Sequence, residues 1–548
     1  MKKRRLGGLL GAIVFGTVAF AAGNADQCSD ARDLKLVNGK IVTMDKQNTV
    51  VSEVTIQNGL VAAAGNSSKL RLNPCTKTIN LRGRTVVPGI IDNHNHIVLL
   101  GMRPGHDIRL ETAASIADVQ AMIQARVKTV PAGAFITTLG DWNVKQFAEK
   151  RLPTLAELDT AAPANPVLIN GGGGTVTNSR GKSFFEGKGV TVSPTGVIAN
   201  PAFLTALNAL RAVQTFDEMK QGTLDAMAYL VSLGVTTSSD MGMFVIPSTP
   251  EMKTASLADG VESLNPWTAY DAFLALHREG KMTSRLRIFF LSQDTAPDVP
   301  ILKERLLNAF PDFGDDMLKI SGIGEFAAAW RFQNGATPSN YEAALQVVAK
   351  NGWAFQQHTL SLNEDKFTTS TFEKVNAVTP IADLHWAIGH VPKIDRPTLD
   401  RLKAIGAGVA VHGWLYLSGT PTNGGPPFRT IVDSGIHVGA GSDAAAVSVF
   451  DPWLEIYYMV TGKNAAGELI NDGQQITRAE ALRLYTAENG WFTHEEDKMG
   501  TIEPGKFGDL VVLSDDYLDP KKVPDEAIKR LKSVLTVVGG KVVYDQMK

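Results

Sequence analysis

The sequence predicts an α/β protein: a (β/α)8 TIM barrel carrying a small β-sandwich built from its two ends, with an insertion after the first barrel strand. Three observations predict it. The run Val87-Pro88-Gly89-Ile90-Ile91-Asp92-Asn93-His94-Asn95-His96 closes an apolar strand on two histidines spaced by two. Across a long middle region, short apolar runs alternate with helix-like stretches. Both ends instead show short alternating runs broken by Asn-Gly and Gly-Gly turns.

The bulk properties leave room for this architecture. The chain has 548 residues with 44% hydrophobic content, enough for a large core and too apolar for a disordered chain. A net charge of −2 supplies no field for nucleic acid or an anionic membrane. Met1-Lys2-Lys3-Arg4-Arg5, an apolar stretch over 6–20 and the small-x-small Ala19-Phe20-Ala21 read as a signal peptide over 1–21. The apolar stretch is short and Gly-rich for a transmembrane helix, with an uncleaved anchor as the alternative. The expected location is periplasmic or secreted, with no membrane attachment after cleavage. Cys28 and Cys75 are the only cysteines, and in an oxidising compartment they suggest one disulfide, two free thiols being the other reading.

In chain order, residues 22–86 form the first part of the sandwich, with short alternating strands and turns over Leu34 to Val42, Val54 to Gly59 and Arg82 to Val86. Residues 496–548 supply the second part, through the runs Gly508 to Leu513 and Val534 to Val543. Residues 87–495 hold the barrel, whose eight strands are expected to end near Asp92, Asp240, Gln293, Gly322, His358, His390, Gly413 and Asp443. The distance from the first strand to the second exceeds one loop and helix, so a subdomain is inserted at about 110–225.

Chemistry in such a barrel sits at the carboxyl ends of the strands. In a strand, residues i and i+2 face the same way, so His94 and His96 can grip one divalent ion. An isolated pair of this kind is more often structural; here His358 and His390 also end successive strands, and Asp443 follows the small residues Gly439-Ala440-Gly441. Lys319, in Met317-Leu318-Lys319-Ile320, has two readings: a strand-edge lysine reaching solvent, or a buried amine carboxylated by CO2 whose oxygens bridge two metals. His412 could face substrate, and Trp142, Trp330 and Trp414 could equally be pocket walls or core.

The order HxH, Lys, His, His, Asp over eight strands resembles the amidohydrolase superfamily. The stretches Leu152-Pro153-Thr154-Leu155-Ala156-Glu157-Leu158-Asp159, Asp240-Met241-Gly242, Gly441-Ser442-Asp443 and Gly500-Thr501-Ile502-Glu503-Pro504-Gly505 are similar to its third family, the YtcJ-like and N-substituted formamide deformylase-like branch. The resemblance implies metal ligation by His94, His96, Lys319, His358, His390 and Asp443. It implies two divalent ions, Zn2+ by ligand type, and a carboxylated Lys319. It also implies hydrolysis of a non-peptide carbon–nitrogen bond by a metal-activated hydroxide, with Asp443 as the catalytic proton carrier. Two places depart from the family: Ile323-Gly324 stands where Asp-Gly is usual after the lysine, and Gly171 to Gly174 replace a histidine before Asn178-Ser179.

A lactonase, esterase or phosphotriesterase on the same dinuclear site is the nearest alternative, and a periplasmic binding or regulatory protein with a relic site the more distant one. Ser361 and Glu364 do not place an acid three residues after His358, which disfavours a deaminase. The expected partner is a small-molecule substrate, with no nucleic acid; a homodimer is the oligomeric state allowed for.

Overall fold

A computed structural model describes Cys28 and residues 31–547, except 67–68, 103–104, 201, 243–266, 268, 293, 295, 329–337 and 446. The expected signal peptide, Gln293 and Trp330 lie outside the described residues.

Eight parallel strands form the barrel: β1 (Ile90–Asn95), β2 (Val235–Asp240), β3 (Arg285–Phe290), β4 (Leu318–Glu325), β5 (Ala354–His358), β6 (Ala387–His390), β7 (Gly408–His412) and β8 (His437–Gly441). Each pairs with the next in sequence. Closure comes where the Asp443 N–H, just past β8, donates to the His94 carbonyl of β1 at 2.8 Å. β1, β2 and β3 are buried along their whole length, as parallel strands covered on both faces must be. The covering helices carry their own stop and start signals. The helix Phe216–Leu233 begins with a reciprocal Thr215–Glu218 capping box and ends at Gly234 (φ 91°), which turns the chain into β2.

Strand ends differ from the sequence reading in one consequential place. β4 runs three residues past Gly322 to Glu325, with a register irregularity opposite Ile288 and Phe289. An extra residue in a strand resets which side chains face inward.

The ends of the chain meet as expected from their alternating pattern. Thr85–Pro88 pairs antiparallel with Leu510–Leu513, through Val87 against Val511. Two sheets of four and six strands enclose a core that includes Leu36, Ile56, Val86, Val512 and Val537. Gly89 then carries the chain into β1; a Cβ there would lie 2.2 Å from the Thr236 hydroxyl. Cys28 and Cys75 are joined in a disulfide, with Cα atoms 5.3 Å apart. The insertion after β1 builds a five-stranded sheet from His106–Asp107 to Val197–Ile198, and its strand Ile136–Asn143 reaches the helix Leu415–Ser418 that follows β7.

The amino end of the barrel is closed by the short helix Asn489–Thr493. Trp491 is stacked between His385 and His437, with ring centroids 4.5 and 4.6 Å away. Beside it the Arg287 Nε and Nη2 groups donate to the Glu495 carboxylate at 2.6 and 3.1 Å, both side chains being buried.

Candidate metal centre

At the carboxyl ends of the strands, five histidines and two acids converge. β1 supplies His94 and, one residue past its end, His96; β4 supplies Glu325; β5, β6 and β7 end on His358, His390 and His412; Asp443 follows β8. Three groups of ligand atoms lie within 4.8 Å of one another: His94, His96 and Glu325; Glu325, His358 and His390; and His94, His390 and His412.

Backbone and neighbours aim these groups. The Asp92 carboxylate accepts from the Ser442 N–H (2.9 Å), the Ser442 hydroxyl (2.6 Å) and the Asn95 amide (2.9 Å), which locks β1 to the turn bearing Asp443. The Gly242 carbonyl can only accept, so the His96 Nδ1 at 2.8 Å donates to it and Nε2 keeps its lone pair. Gln356 Oε1 does the same for Nδ1 of His94, whose buried Nε2 has no hydrogen-bond partner. Asp443 (φ 56°) and His390 (φ 68°) sit in the left-handed region, a conformation that costs about 1–3 kcal/mol and clusters at functional sites.

The freed Nε2 atoms face carboxylate oxygens. His96 Nε2 lies 3.4 Å from both Glu325 Oε1 and Asp443 Oδ1. His94 Nε2 lies 3.7 Å from Asp443 Oδ1 and 3.9 Å from Glu325 Oε2. Ligands held ~2.1 Å from one ion are separated by roughly 3.4 Å at the tetrahedral angle, so this spacing suits a shared cation. Glu325 reaches a second set with its other oxygen: Oε2 is 2.5 Å from His358 Nδ1 and 3.2 Å from His390 Nε2. The donor set of imidazoles and two carboxylates fits divalent metal.

Electrostatics agree. Burial disfavours the Glu325 anion, yet His358, His390 and His96 outweigh it and hold the pKa well below the usual carboxylate range. Asp443 is lowered against the same burial by His390, His96 and His94. Burial likewise opposes charge on His96, but Asp443 and Glu325 hold it well above the ordinary imidazole value, and His390 is raised by the same two acids. Burial pushes His94 down to about 4, and burial with His94 and His390 pushes His412 well below the ordinary value. Two buried anions therefore demand positive charge between these rings.

The structure brings together five of the six expected ligands and leaves out Lys319. Its Nζ lies at the amino end of β4, 2.9 Å from Asp312, 3.4 Å from the Thr493 carbonyl and 3.7 Å from Glu495. Six residues of strand, roughly 20 Å, separate it from Glu325. A lysine inside an apolar strand is here an ionic plug at the closed end of the barrel. Its Nζ is held there by two acids, Asp312 and Glu495. Trp142 is also corrected: it stacks on Phe147 (5.3 Å), donates to the Asn170 carbonyl (3.1 Å) and is enclosed in the core of the insertion. His412 is enclosed, 4.1 Å from the His94 ring and 4.5 Å from His390, and forms the inner wall of the cluster. Trp414 is half-buried just past β7.

The sequence reading missed Glu325. Its signal was present: an acid just after Gly322-Ile323-Gly324, the same small-residue approach that marks Asp443.

The model described as "Amidohydrolase family" matches residues 77–544. The chain belongs to the amidohydrolase family. It is a metal-dependent amidohydrolase, a hydrolase of carbon–nitrogen bonds. This amidohydrolase is 22% identical to the N-substituted formamide deformylase of Arthrobacter pascens, over 94% of its own length and 99% of the relative's. In fold it is similar to an uncharacterized metal-dependent hydrolase from Pyrococcus horikoshii, with TM-score 0.60 and 20% identity over 89% of this chain and 98% of that one. It is also similar to atrazine chlorohydrolase from Arthrobacter aurescens complexed with zinc, with TM-score 0.56 and 15% identity over 94% and 95%. The barrel predicted from strand order is the fold of these neighbours.

Proposed function

We propose that this amidohydrolase is an exported dinuclear enzyme that cleaves amide-type carbon–nitrogen bonds of small molecules, N-substituted formamides being the first class to test. The observation that carries the reading is the two-sided placement of Glu325, one oxygen toward His96 and the other toward His358 and His390. His94, His96 and Asp443 would hold one cation and His358 and His390 the other, with Glu325 within reach of both sets. Zinc suits imidazole and carboxylate donors. The disulfide and the basic-apolar start of the chain support export.

Divalent cations held there supply Lewis acidity, which polarises a carbonyl and brings water ionisation into the neutral range. Asp443 takes the proton from the attacking water and passes it to the nitrogen as the carbon–nitrogen bond breaks. Its lowered pKa keeps it ionised and ready to accept at neutral pH. Trp414, half-buried just past β7, is the side chain proposed to wall the substrate.

The test is metal analysis of purified protein with a panel of N-formyl, N-acyl, lactone and ester compounds. Two equivalents of metal and turnover of the formyl or acyl nitrogen compounds are expected. Turnover confined to lactones or esters overturns the substrate class, and protein without metal or activity overturns the enzyme reading.

A further inference from the structure

Asp240 is fully buried at the end of β2, outside the ligand set, and nothing in the hydrolysis uses it directly. Its carboxylate makes three charge-assisted contacts. Oδ1 accepts from the Tyr270 hydroxyl (2.7 Å) and the Gly242 N–H (2.8 Å), and Oδ2 accepts from the Val98 N–H (2.8 Å). Two of these lead to His96 by separate routes. Gly242 is the residue whose carbonyl receives the His96 Nδ1 proton, and Val98 lies two residues after His96. Gly242 has φ 81°, and a Cβ there would lie 3.0 Å from Leu291, so its carbonyl direction depends on a backbone that few residues could hold.

We propose that Asp240 is a positioning residue for the metal centre, acting through Gly242 and Val98 to fix the ring and tautomer of His96. The proposal rests on the metal-centre reading and adds a determinant of metal affinity that touches neither metal nor substrate. Such outer carboxylates commonly set ligand orientation, and their loss costs about 10–100-fold in metal affinity. Tyr270 supports Asp240 from behind. Removing its hydroxyl leaves both backbone contacts in place.

The test is chelator competition for cobalt, with the visible spectrum of the cobalt form, on wild type, Asp240→Asn, Tyr270→Phe and Asp509→Asn. An asparagine amide has one acceptor oxygen, so its NH2 must meet one of the three donors. Asp240→Asn is expected to weaken cobalt binding about 10–100-fold and to change the spectrum. Tyr270→Phe should stay within about threefold of wild type. Asp509→Asn breaks the buried Arg285 pair at the amino end of β3 (2.7 and 2.9 Å) and serves as the stability control, with affinity and spectrum unchanged. Wild-type affinity and spectrum in Asp240→Asn overturn the proposal. Failure of wild type to bind cobalt overturns the metal-centre reading instead. Should Asp240→Asn not fold, hydrogen exchange on wild type decides: cobalt loading must slow exchange at 97–99 and 240–242, and unchanged exchange there overturns the proposal.

Discussion

Glu325→Ala is expected to lose metal from both positions and to have no measurable kcat, while Lys319→Met keeps full metal and a kcat within about twofold of wild type. Glu325 lies within reach of four ligand histidines, His94, His96, His358 and His390, and it is the acid on the side of His358. Without it, buried imidazoles face one another across a gap with Asp443 alone to balance a dication. The loss in affinity should exceed about 10²-fold, more than a residue that merely orients a ligand contributes. Lys319→Met removes a charge from the foot of the barrel, where Glu495 keeps its bidentate Arg287 partner. Elemental analysis and steady-state kinetics on the two variants check this directly. The opposite pattern would mean that the lysine makes the centre.

The second large effect is at Asp443. Asp443→Asn should keep metal near the wild-type level while kcat falls by about 10²–10⁴, the usual worth of a positioned general base. Asparagine suits the site in two ways: it retains an oxygen donor, and it tolerates the left-handed backbone (φ 56°) that Asp443 adopts. His94→Ala or His96→Ala should instead lose metal together with activity. Should Asp443→Asn retain near-normal kcat across pH, another group carries the proton, and His412, whose Nδ1 lies 2.7 Å from His390 Nδ1, is next in reach.

Much of this was legible in the chain because periodicity reports local geometry. The spacing of His94 and His96 places both rings at one strand end, and the strand-end positions of His358, His390 and Asp443 give the barrel rim. The joining of Thr85–Pro88 to Leu510–Leu513 follows from matching alternating patterns at the two ends. Lys319 and Glu325 show where such reading stops. Both are polar groups buried on one strand, and nothing in a period of two says which end of a barrel a residue occupies. The β4 register irregularity and the three residues beyond Gly322 decide it. Trp142 illustrates a second limit: an indole flanked by polar residues reads alike in a pocket wall and in a subdomain core, and only the stacking on Phe147 separates them. Asp240 was legible as a strand end, but its contacts and those of Gln356 were not, because they reach partners 142 and 262 residues away in the chain.

The most direct test of the central claim, that Glu325 and not Lys319 joins the metal ligands, is anomalous diffraction from crystals of the zinc-loaded protein. Two peaks flanking the Glu325 carboxylate are expected, one beside His94, His96 and Asp443 and the other beside His358 and His390, with unmodified Lys319 against Asp312. A peak at a carboxylated Lys319, or none at Glu325, would contradict it.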